Sequence, residues 1–291
     1  MPLLAPLVSY HVVAMPKTYR PPFDLPDHFP FLKYKTTVRL HPRQQKVEDS
    51  CASKIRGHIA WPVNEQVPRC PEDDSPMIAV LQLRKEDVPE MKFPEGKNLF
   101  QMLWCPRDGS HEDHNFGPTA SFHWRDSEAL VDIRDKLPNP VDPEEELCPK
   151  ECALSPERVD KDLPSGFDLG VMETSDLDLV DQWIIENAKE ELDRINVDGE
   201  ECYHFYFSSV PGTKVGGHPE YFNESGAPSC DQCKKKTEYL LTIASREDRQ
   251  LEPFRDGDWN AARQEAWDKR PELCIVDNNN FHVFICRHCE G

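Results

Sequence analysis

Two cysteine pairs, Cys230-x-x-Cys233 and Cys286-x-x-Cys289, have the spacing with which a tight turn presents two sulfurs and nearby backbone amides to one tetrahedral ion. Four thiolates close a coordination sphere and leave no place for water. The chemistry this set offers is therefore a structural Zn2+ site, one per chain, and not a catalytic one. The interval between the pairs is long, so tertiary structure must bring them together. Upstream, Cys70-Pro71-Glu72-Asp73 and Cys105-Pro106-Arg107-Asp108 keep the first cysteine of each pair and carry aspartate where the second would stand. This is a degenerate equivalent of the downstream set. Aspartate can ligate zinc and His111 and His114 are near, so one reading is a Cys/Asp or Cys/His site. The other is a lost metal site, with Cys70 and Cys105 left as small buried hydrophobes. Cys51, Cys148, Cys152, Cys202 and Cys274 have no partner by spacing and read as ordinary thiols.

Catalytic chemistry is less well signalled. His58 and His218 occupy matching positions of a repeat, and His111, His114 and His123 follow the first copy, but duplication alone explains the match. There is no nucleophile elbow, phosphate-binding loop, dinucleotide fingerprint or H-E-x-x-H, and no carboxylate pair stands out by spacing. The expectation leans to a non-enzymatic protein, the alternative being an uncharacterised enzyme with a site in the cleft between two modules.

The elements that must position these residues come twice. Ser53-Lys54-Ile55-Arg56-Gly57-His58 matches Thr213-Lys214-Val215-Gly216-Gly217-His218 by residue class everywhere except Arg56 against Gly216. The register continues without a gap through Cys70 and Cys230 to the apolar runs Met77–Leu83 and Thr237–Ile243. Each copy closes on another such run, Phe100–Cys105 and Phe281–Cys286. Short apolar runs bounded by Pro, Gly, Asn or Asp predict strands, so the fold class is mainly β (α+β): a tandem duplication of a β-rich module with one or two packing helices. Gly57, Gly216 and Gly217 are read as turn residues that permit positive φ or close backbone approach. Trp61-Pro62 and Tyr221-Phe222 set aromatics beside those turns, as a cap on the core. The division expected is an N-terminal extension over 1–36, a first β module over 37–137, a Pro-rich acidic linker or surface loop over 138–165, and a second β module over 166–291. Helical spacing of Leu177, Val180, Trp183, Ile184, Ala188, Leu192 and Ile195 predicts a helix over about 176–195, and a weaker one runs through Trp259–Trp267.

The 291 residues carry a net charge of −19, which repels nucleic acid and anionic membranes and favours basic partners. The apolar start lacks a basic region and is too short to span a bilayer. Eleven cysteines, an odd number, two pairs of them in knuckle spacing, argue for a reducing compartment, the cytoplasm, over a disulfide scaffold. A monomer is expected.

Lys54-x-x-Gly57, Trp61-Pro62, Cys70, the Met77–Leu83 run and Leu99–Pro106 resemble the YwqG-like family. Lys214–Phe222, Cys230-Asp231-Gln232-Cys233 and Phe281–Cys289 are also similar to the modules of the related programmed cell death protein 2 family. The resemblance covers the chain from about residue 37, with departures at Arg56, Asp73 and Asp108. It implies a duplicated β architecture and a chaperone-like or assembly-factor activity toward a basic client protein, as that second family serves a basic ribosomal protein. A toxin-neutralising binding protein is the other non-enzymatic reading.

Overall fold

The computed structural model describes residues 16–107, 117–194, 202–223, 225–252, 261–275 and 278–289. It is mostly β, built as two antiparallel sheets. The first half supplies β1 Lys35–Arg39, β2 Arg43–Gln44, β3 Lys54–Ile55, β4 Ile78–Arg84, β5 Leu99–Trp104 and β6 Ala120–Arg125. The second supplies β7 Cys152–Ala153, β8 Glu157–Asp162, β9 Lys214–Gly216, β10 Glu238–Ala244 and β11 Asn280–Ile285, with helices α1 Thr174–Asn187, α2 Lys189–Arg194 and α3 Ala261–Asp268.

The repeat read from the sequence is a structural repeat. β3, β4 and β5 match β9, β10 and β11, and the bulge between Ala79 and Leu81 recurs between Tyr239 and Leu241. The six-stranded sheet runs β2-β7-β3-β4-β5-β6 and the five-stranded one β11-β10-β9-β1-β8. β1, from the first half, therefore lies between β9 and β8 of the second half, and β7 lies between β3 and β2 of the first. Each half gives its first strand to the other's sheet. The stretch 138–165, read as a linker, contains β7 and β8, one strand for each sheet. Its prolines and acidic residues had masked two strands whose apolar content is small because they are short or pair at an edge.

One core joins the sheets. Val38, Ile55, Val80, Phe100, Met102 and Trp104 pack in the same cluster as Val215, Leu240, Leu241, Ile243 and Val283. Full burial of each such side chain contributes about 1.5–3 kcal/mol, so neither sheet keeps its inner face dry alone. A second cluster sits under the helices. The predicted 176–195 helix is two pieces, α1 and α2, broken at Ala188, whose φ/ψ of −119°/22° is not helical. α1 starts where Asp176 Oδ2 accepts the Glu173 amide (3.0 Å), and it buries Val180 and Ile184 against Leu163, Tyr203 and Phe207. Leu25 and Phe29 of the N-terminal extension complete that cluster. Ile195, Trp259 and Asn260 lie outside the described residues, and α3 begins at Ala261. No helix among the described residues is long and apolar enough to cross a membrane.

Candidate metal centre

Each half builds its cysteine-bearing loop the same way. The Cys230 amide donates to the Lys235 carbonyl (2.8 Å) and the Lys234 amide to the Cys230 carbonyl (2.8 Å); the Cys70 amide donates to Ser75 (2.8 Å) and the Asp74 amide to Cys70 (3.0 Å). Short bridges pin both loops, Ser229 with Lys236 and Arg69 with Pro76. The turn needs a left-handed residue just after its second ligand position, and Lys234 (φ 58°) and Asp74 (φ 55°) both adopt it. The second knuckle follows the end of β11, or of β5, so pairing of β10 with β11 and of β4 with β5 carries the two loops of each half together.

In the second half the result is a four-sulfur cluster. Cys230 Sγ lies 3.6 Å from Cys289 Sγ, and Cys233 Sγ lies 3.6 Å from Cys286 Sγ. All four sulfurs fall within 4.8 Å of one another and could hold one metal ion. They are half-buried and none is in a disulfide. The His288 amide donates to Cys286 Sγ (3.4 Å) and draws that thiol down to about 6. Hydrogen bonds with Cys233 and Cys230 push Cys289 up to about 12. Four thiols so crowded cannot all ionise without a cation, and a bound metal would release their protons.

The first half brings Cys70, Asp73 and Cys105 within the same 4.8 Å, but in another chemical state. Cys70 and Cys105 are buried, and burial, then Cys70 itself, pushes Cys105 up to about 12. Asp73 accepts the Ser75 amide (2.9 Å) and hydroxyl (2.8 Å), and it also faces a cation already present, Arg107 Nη1 at 3.1 Å. Arg107 stands where the repeat has His288, one position before the final ligand. Asp108, His111 and His114 lie outside the described residues.

The turn residues lie where positive φ is needed. Gly57 (73°), Gly216 (69°) and Gly217 (73°) are left-handed, and Arg56 keeps the same conformation at 54° in Gly216's place. Close approach explains the glycines that both halves retain. A Cβ on Gly217 would meet Asp162 Oδ2 at 2.0 Å, and one on Gly57 would meet Glu151 Oε1 at 2.5 Å. Asp162 is there because it takes the amides of His218 (2.7 Å) and Val210 (2.6 Å) and faces the buried Lys214 ammonium (3.3 Å). Lys54, the matching lysine, instead caps the carbonyls of Val47, Asp49 and His58. Burial lowers the pKa of both lysines. The repeat marked these lysines, but Asp162 and Glu151 were missed, because Glu151 borders the exchanged β7, Asp162 ends β8 within the stretch read as a linker, and neither carries a local signal.

The histidines do not converge. His218 is buried and its Nε2 meets the Lys33 carbonyl (3.0 Å); burial lowers it to about 4. His58 is exposed at the edge of a cavity of about 270 Å3 and its Nε2 meets the Arg134 carbonyl (2.8 Å). His123 pairs with Ser121 Oγ (2.8 Å) on β6. No protein-family model matches this chain, and no curated protein matches it.

Proposed function

We propose that this chain is a non-enzymatic protein-binding scaffold, held in the second half by one structural Zn2+, with chaperone-like or assembly-factor activity toward a basic client protein. Sulfurs bound to zinc at about 2.3 Å form a tetrahedron with edges of about 3.8 Å. The 3.6 Å sulfur pairs fit it, and the borderline-soft, redox-inert zinc suits four thiolates.

The observation that carries the binding function is where the charge lies. Buried and part-buried cations and anions face one another: Arg20 and Lys214 with Asp162, Arg39 beside Glu247, and Arg249 with Glu220. The surplus behind the net −19 therefore sits on the outside, where it attracts and solubilises a basic, aggregation-prone chain. The resemblance to the programmed cell death protein 2 family supports the same reading. The test is co-purification with the intact protein, followed by an aggregation assay on the recovered basic protein at low and physiological salt. The expected outcome is a basic partner kept soluble, with binding weakened by salt. Recovery of no basic partner, or no effect on its aggregation, would refute the proposal.

A further inference from the structure

The two halves differ at one sheet edge. In the first, β6 closes the outer side of β5 along its whole length, Leu99 opposite Arg125 to Trp104 opposite Ala120. In the second, β11 is the last strand of its sheet among the described residues. Four residues hold β6 in its seat. The His123 ring stands edge-on to Trp61 at 4.8 Å, and the Arg125 guanidinium lies over the same indole at 4.3 Å. Arg125 also forks onto Glu65 (2.6 and 2.7 Å) and donates to Gln101 Oε1 (2.6 Å), while the Asn98 amide donates to its carbonyl (2.9 Å).

The repeat register gives these four residues counterparts. Trp61 corresponds to Tyr221, Glu65 to Ser225, Asn98 to Asn279 and Gln101 to His282. All four counterparts line one cavity of about 410 Å3. The seat filled by β6 side chains in one half is open space in the other. Tyr221 is 6% exposed, and its buried hydroxyl has no hydrogen-bond partner. A buried hydroxyl left so is costly, and a polar group entering the cavity would satisfy it. Among the described residues, Arg249 stands over the Phe222 ring at 5.4 Å and is engaged by Glu220 at 2.6 Å.

We propose that β11 receives an extended basic segment of a client protein as an added antiparallel strand, with an arginine or lysine entering the Tyr221–His282 cavity as Arg125 enters its own. This rests on the proposed function and gives it a site. Main-chain pairing would supply affinity and the cavity would supply selection for a cation on an aromatic platform. Alternate residues of β5 turn their amides toward β6, as Cys105 does to the Thr119 carbonyl (2.9 Å). The matching positions on β11 are Asn280, His282 and Phe284.

The probe is a synthetic peptide carrying Thr119–Arg125 followed by two lysines, titrated into the intact zinc-loaded protein while backbone hydrogen exchange is followed. Amides of 280–285 are expected to gain protection. Ser225→Glu, which restores the carboxylate of Glu65, is expected to tighten binding about tenfold, and Ser225→Lys to weaken it by as much, the worth of one charge-assisted hydrogen bond. Absence of binding, protection elsewhere, or 280–285 already protected in the free protein by a second copy or another part of the chain would each overturn the proposal. A basic client that binds while 280–285 stay unprotected overturns this site and leaves the proposed function standing. Loss of client binding altogether overturns the function itself, whatever the peptide does.

Discussion

Buried titratable side chains set how this protein meets pH. His218 and His282 are both held neutral, their pKa lowered by burial to about 4 against about 6.5 in an unfolded chain. His218 feels Asp162, which raises it, and Lys35 and Lys214, which lower it further. Between pH 6.5 and 4 the unfolded state binds protons that the native state refuses, so stability is present above 6.5 and falls as pH drops through that window. Each ring accounts for up to about 3 kcal/mol. Glu247 acts in the opposite sense: burial lifts it to about 7, so its contribution is full below the unfolded value and is lost as pH rises through 7. Denaturation midpoints from pH 4 to 7 should fall toward acid, and His218→Gln, which keeps a donor for the Lys33 carbonyl, should remove about one proton of that dependence. An unchanged slope would mean that His218 is not held neutral. None of this was visible in the residues alone. His58 and His218 match in sequence, yet one is exposed, its ring on the Arg134 carbonyl at the rim of a cavity, and the other is buried, its ring on the Lys33 carbonyl of the N-terminal extension.

At the scale of elements, the repeat was legible and its connectivity was not. Class-by-class matching found β3, β4 and β5 and their copies, because those strands are apolar and carry the glycine turn and the cysteine loop at fixed intervals. β1 and β7 are exchanged between sheets, and pairing partners so far apart leave no trace in local composition; β7 is two residues long. The exchange has a direct consequence. A fragment spanning 166–291 contains β9, β10 and β11 but lacks β1 and β8, which complete its sheet, and lacks the first half of the shared core. It should remain unfolded even with zinc, giving no dispersed amide spectrum, whereas mixing it with a fragment spanning 1–165 should restore one. A 166–291 fragment that folds alone would show that the halves are independent domains. The stretch read as one helix over 176–195 holds α1 and α2, and their break at Ala188 was hidden because the apolar periodicity runs through it.

For the whole molecule, duplication let the two halves diverge at equivalent places. One keeps four cysteines, while the other sets the Asp73–Arg107 pair where metal ligands would be. One closes its sheet with β6, while the other ends at β11 beside a cavity. The sequence showed the first difference through its aspartates. It hid the second, because β6 lies outside the runs matched between the two copies and its role is defined only by what it covers. Arg107 and Asp73 together suggest that a fixed guanidinium–carboxylate pair has taken over the cross-linking of the first-half loops, in place of a cation held by thiolates. The measurement that tests this account most directly is metal content by elemental analysis of the freshly reduced protein and of the Cys230→Ser, Cys286→Ser double variant and the Cys70→Ser variant, with thermal stability followed alongside. One zinc per chain is expected, lost with a large fall in melting temperature in the double variant and retained in Cys70→Ser. Two zincs per chain, none, or loss of the metal with Cys70 alone would contradict it.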